Sequence, residues 1–132
     1  MPHLQFETTA EPTDDGRRGF LEAITELYAE HMDTGTGHVA VTLRVLDPFE
    51  FSLGRLDPGE PALMLNADIR AGRTFDQKRG FVLAAFDAAS DHLGVPAPNA
   101  YAVVTEHAGE EFHEHDRVLS GWDASEATEG AD

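Results

Sequence analysis

Apolar and polar positions along the chain follow one plan twice. In residues 3–8, Leu4 and Phe6 alternate with polar neighbours, the period of a short half-buried strand. Thr13-Asp14-Asp15 then supplies an N-cap and an acidic first turn. Phe20, Ile24, Leu27, Tyr28 and His31 recur at helical spacing, and Gly35 and Gly37 are expected to end that helix. A second strand opens at His38, with Val39, Val41, Leu43 and Val45 on one face, and Asp47-Pro48 breaks it. The short Phe49-Phe51-Leu53 piece and the turn Asp57-Pro58-Gly59 read as a linker hairpin.

The second half repeats the order. Leu63, Leu65, Ala67 and Ile69 share one face of a strand running from Ala62 to Ile69. Arg70-Ala71-Gly72-Arg73 forms a loop, and Thr74-x-x-Gln77 is a capping box. The helix that follows turns Phe81, Val82, Ala85, Phe86 and Ala89 inward and runs to about Leu93, where Gly94, Pro96 and Pro98 stop it. Tyr101 to Glu106 is the closing strand. The pattern predicts an α/β chain (α+β by some conventions): two consecutive β-α-β units, each with parallel strands, forming a four-stranded sheet with both helices on one face. The other face, with Val and Leu beside Thr42, Met64 and Asn66, is left for another subunit. Residues 1–122 make one domain, and 123–132 read as a solvated acidic tail.

Composition narrows the partners. With 25 acidic and 9 basic residues the net charge is −16, and Lys78 is the only lysine. So negative a field repels phosphate backbones, which argues against nucleic acid. Acids in excess with almost no lysine also suit concentrated salt; an acidic mesophile protein is the alternative. No apolar run has the ~18 residues of a membrane span. With no cysteine there is no disulfide, thiolate nucleophile or zinc–thiolate site, and a cytoplasmic protein is expected.

Four features carry candidate chemistry. Initiator methionine is normally removed ahead of proline, which would leave Pro2 with a free secondary amine. Such an amine titrates near ~8 and is able to serve as base or acid close to neutrality. Arg70-x-x-Arg73 lies between a strand and a helix N-terminus, an arrangement suited to a carboxylate; ion pairing with surface acids is the alternative. His38 follows Thr34-Gly35-Thr36-Gly37 at a strand entrance; a strand-end histidine bonded to backbone is the alternative. Glu114 sits in His107-x5-His113-Glu114-His115, where a carboxylate between histidines is able to activate water. His113 and His115 share a face if extended, but no third ligand stands at a convincing spacing, so no metal and no other cofactor is expected.

Together these residues resemble the tautomerase superfamily, whose members keep an amino-terminal proline and assemble β-α-β halves into trimers or hexamers. The opening MPHLQFE is similar to that of the 5-carboxymethyl-2-hydroxymuconate isomerase branch. TGTGH at 34–38, the G-R-T-x-x-x-K run from Gly72 to Lys78 and the segment Tyr101 to Leu119 find ordered counterparts in the cis-3-chloroacrylic acid dehalogenase group. The resemblance implies that Pro2 is the catalytic amine, that Arg70 and Arg73 bind a substrate carboxylate, and that His38 holds the same group or polarises its neighbour. It implies that Glu114 positions or activates a water. Where the dehalogenases carry a tyrosine, Val103 stands here; Tyr101, two residues earlier on the same face, would replace it only through a register shift. The implied function is a tautomerase or isomerase of a small 2-hydroxy-enoate or 2-oxo acid, working as a homotrimer with Pro2 and some partners meeting across an interface. The alternatives are a hydratase, dehalogenase or decarboxylase of a small unsaturated or oxo acid, or a non-catalytic assembly module that retains Met1.

Overall fold

The computed structural model describes residues 1–124; the predicted tail beyond Ala124 lies outside the described residues. In chain order the elements are β1 (His3–Thr8), α1 (Asp14–Met32), β2 (Ala40–Val45), β3 (Leu63–Arg70), α2 (Phe75–Leu93) and β4 (Ala100–His107), with single 3-10 turns at Ala97–Asn99 and Gly109–Glu111. The sheet order is β2-β1-β3-β4. β1 is parallel to β2 and β3 to β4, while the two halves meet antiparallel through β1 and β3. The expected double β-α-β architecture is therefore present.

Both helices begin where their caps stand. The Thr13 hydroxyl accepts from the Gly16 N–H, and Thr74 and Gln77 form a reciprocal capping box. The inward stripes of the helices meet Leu4 and Phe6 of β1 and Leu65 and Ile69 of β3, all fully buried. Phe6 packs edge-on to Phe20 at 4.8 Å, joining sheet to α1, and Tyr28 packs edge-on to Phe81 at 5.2 Å, joining α1 to α2. Each such ring contributes about 1.5–3 kcal/mol by leaving water.

Three details differ from the expectation. α1 ends at Met32, ahead of Gly35, because Asp33 takes the left-handed conformation (φ 49°). Donors from elsewhere in the fold satisfy the helix end: Arg73 Nε donates to the Met32 carbonyl and Trp122 Nε1 to that of Asp33. The linker 46–62 contains no strand. Pro48, Pro58 and Pro61 remove ladder donors, and Glu50 and Glu60 accept from the Asp47 and Asp57 backbones, so the segment closes into successive turns. Its Phe49 is 96% exposed. Finally, the uncovered sheet face is more polar than expected. Leu63 and Leu65 of β3 are buried, while the alternate positions Met64, Asn66 and Asp68 lie in register with Tyr101, Val103 and Thr105 of β4.

Candidate active site

The chemistry-bearing residues gather at one end of the sheet. β1 begins there: Pro2 is buried, and its carbonyl accepts from the Ala40 N–H at 3.2 Å, so the chain start is tied to the mouth of β2. His38 stands two residues before Ala40. Across from β1, His3 pairs with Asp68, and β3 ends two residues later at Arg70. The parallel register then sets His107 of β4 beside Arg70.

A hairpin in the C-terminal segment closes over this end. His113 bridges Val118, and the Glu114 N–H donates to the Arg117 carbonyl at 2.9 Å. The turn presents two side chains to His38. Glu114 Oε2 lies 2.7 Å from His38 Nδ1, Arg117 Nε donates to Glu114 Oε1 at 2.9 Å, and Arg117 Nη2 lies 3.2 Å from His38 Nε2. Partial desolvation pushes the Glu114 carboxyl upward, but the Arg117 hydrogen bond and the charges of His38 and Arg117 outweigh it and hold the group below its ordinary value. Glu114 is thus an anion at neutral pH, fixed between two donors.

The two loop arginines go to different places. Arg70 is 2% exposed, and its Nη1 donates to the Ser120 carbonyl at 2.9 Å, at the sheet end that holds Pro2. Arg73, 5% exposed, turns to the end of α1, where its Nε donates to the Met32 carbonyl at 3.2 Å. Its guanidinium carbon lies 4.6 Å from the Trp122 ring centre and 5.8 Å from that of Tyr28, a cation between two aromatic faces. Gly72, at φ 129°, permits that turn; a Cβ there would stand 2.3 Å from the Trp122 carbonyl oxygen. The N-terminus of α2 is served by its own Thr74 and Gln77 side chains.

Tyr101 is at the other end. It pairs with Met64, which pairs with Glu7, five residues along β1 from Pro2 and so about 17 Å away. It is 46% exposed on the bare face. Within one chain, Pro2, His38, Arg70 and Glu114 share an end of the sheet; Arg73 lies at that same end, against the last turn of α1 and Trp122, and Tyr101 is at the far end. Of the histidines, His107 bonds to Asp68 at 2.8 Å, while His113 and His115 are exposed. No group of three His, Asp or Glu side chains among the described residues is placed to hold a metal ion. No described helix is long and apolar enough to cross a membrane.

Sequence reasoning missed Arg117, Trp122 and the Asp68–His107 pair. The spacing Glu114-x-x-Arg117 was a visible signal for the first. The others become partners only through β-register and the path of the C-terminal segment.

No protein-family model matches the chain, and no curated protein matches it. Solved structures do. A member of the cis-3-chloroacrylic acid dehalogenase family is 25% identical, with a TM-score of 0.78 over 90% of this chain and 84% of its own. The symmetric trimer of a fused 4-OT has a TM-score of 0.78 at 19% identity, covering 95% of this chain and 98% of its own. FG41 malonate semialdehyde decarboxylase, inhibited by 3-bromopropiolate, has a TM-score of 0.71 at 18% identity, covering 83% of this chain and 86% of its own. These proteins are members of the tautomerase superfamily, and the chain shares their fold.

Proposed function

We propose that this chain, once Met1 is removed, is a tautomerase of a small 2-hydroxy-enoate or 2-oxo acid with Pro2 as its acid–base group. The observation that carries the reading is the convergence of Pro2, Arg70 and His38 at one end of the sheet. Tautomerisation asks little more. The neutral amine takes the enol proton, the ammonium returns a proton to carbon, and cationic or hydrogen-bonding groups steady the carboxylate and the developing oxyanion. Arg70 supplies a fixed positive charge that needs no protonation. With Met1 attached, the Pro2 nitrogen is a tertiary amide and has no basicity, so processing switches the site on.

The assay is ketonisation of phenylenolpyruvate and 2-hydroxymuconate in high salt, with intact mass to verify Met1 removal. Wild type should turn over at least one acid, and Pro2→Ala should lose ~10²-fold or more in kcat, the range of a lost acid–base group. A processed wild type inert on both acids would sink the tautomerase reading.

A second reading, hydration of a small unsaturated acid, is favoured by one contact. Glu114 meets His38 at 2.7 Å as an anion, an arrangement suited to holding and deprotonating a water. On either reading the protein works as a homotrimer, with Tyr101 of a neighbouring subunit completing the site that its own subunit's Tyr101 does not reach.

A further inference from the structure

We propose that the strap of residues 120–122 is an autoinhibitory lid: it sits on the cations of Arg70 and Arg73, and a small carboxylate reaches them only by lifting it. The inference rests on the reading above for the carboxylate and not for the reaction. Arg70 is 2% exposed, and its Nη1 donates to the Ser120 carbonyl at 2.9 Å. Arg73 is 5% exposed, and its guanidinium carbon lies 4.6 Å from the centre of the Trp122 ring. Two residues of one short strap, Ser120 and Trp122, thus hold both cations at the junction of β3 and α2.

Each of these contacts is weaker than the one a carboxylate offers. A neutral carbonyl and an aromatic face answer a guanidinium with a dipole and a quadrupole. A carboxylate forms charge-assisted bonds roughly twice as strong as neutral ones, and takes two from one guanidinium. An arriving acid therefore competes with the strap for the same donors and exchanges with it. The remaining fastenings are light. The Trp122 backbone N–H donates to the Ala71 carbonyl and the indole N–H to that of Asp33, each at 3.2 Å, the long end of the normal range. Among the described residues, the buried core and the apolar side chains packed on it come from 4–104, so the strap is able to lift without breaking it.

The strap also lies in a bed of glycines. A Cβ on Gly109 would run into the Ser120 carbonyl group, and one on Gly72 into that of Trp122. Gly109 does not take a positive φ, so its own backbone does not call for glycine; the close approach of Ser120 does. A methyl group at position 109 is therefore a wedge under the strap that leaves both arginines in place.

Trp122 is the chain's only tryptophan, so its emission reports the strap directly. The test titrates propionate into the full chain at constant ionic strength and follows emission, acrylamide quenching and heat. Saturable binding that shifts the emission to longer wavelength and raises the quenching is the expected result, and Arg70→Gln should abolish it. Gly109→Ala should bind propionate about tenfold more tightly, because the open form no longer has to be drawn from a small population. Should either variant fold poorly, the wild-type titration decides alone. Saturable binding that leaves Trp122 quenching unchanged overturns the inference, and so does the absence of binding in wild type and Gly109→Ala alike. Ketonisation is read separately. A wild type inert on both acids whose Trp122 responds to propionate keeps the lid and loses the tautomerase; turnover with an unresponsive Trp122 does the reverse.

Discussion

Glu114 shows how far one side chain's environment decides its chemistry. It is bound by Arg117 on one oxygen and His38 on the other, and its carboxyl is held below the ordinary value. A carboxyl depressed in the folded state adds stability that is complete above its unfolded pKa and is lost as pH falls through the folded value. Glu114→Gln should therefore weaken the fold slightly at neutral pH and not at all at strongly acid pH. Chemical denaturation at two pH values reads the difference; an equal effect at both contradicts the ionised state. The same variant separates the two activities. On the proposed reading ketonisation should stay within a few-fold, because Pro2 is its acid–base group, whereas any hydration of an unsaturated acid should drop about 10²-fold with the proposed water base gone.

At the scale of elements, the C-terminal segment is fastened to the fold by Trp122. Its backbone N–H donates to the Ala71 carbonyl at 3.2 Å, its indole N–H to Asp33, and its ring covers Arg73. Trp122→Ala should cost about 1–3 kcal/mol, from lost ring burial and the lost cation–π face, and should loosen the hairpin that holds Glu114. Urea melts check the first effect, and a rise in KM with little change in melting would contradict it. Thr74→Ala should cost about 1 kcal/mol through loss of the capping box. These elements also show what could be read beforehand. Caps at Thr13 and Thr74 and the alternation in β1 and β3 were plain, because their causes lie within a few residues. The end of α1 was not, since its last carbonyls are satisfied by Arg73 and Trp122, 41 and 89 residues away. The pairing of Asp68 with His107 was hidden for the same reason. Arg70 and Arg73 looked alike in the sequence, yet one turn at Gly72 sends them to different surroundings.

At the scale of the molecule, the bare sheet face and the solvent-facing Phe49 both suit an assembly, and the fold is shared with a symmetric trimer. Light scattering should return a mass three times that of the chain in molar salt. Lowering the salt to about 0.1 M lengthens the screening distance from about 3 Å to about 10 Å, so a charge of −16 per chain should then weaken the assembly. A monomer in molar salt would remove the case for a shared site. Tyr101→Phe offers a finer check: a loss in turnover without a change in mass would show that the hydroxyl enters a site its own chain does not form.

The hairpin carrying Glu114 and Arg117 lies outside the sheet and helices, which are already complete when β4 ends at His107. The tip of the hairpin, residues 113–118, can therefore vary without disturbing the core, while Gly109, where a Cβ would stand 2.1 Å from Ser120, and Ser120, whose carbonyl accepts from buried Arg70, stay tied to the body. In evolutionary terms the barrel of the tool and its bit are separate parts: on the proposed reading the amine and Arg70 stay with the body, while Glu114, the proposed water-handling group, rides on an exchangeable turn. Descendants of such a chain could change chemistry through a handful of substitutions in one turn and leave the core untouched.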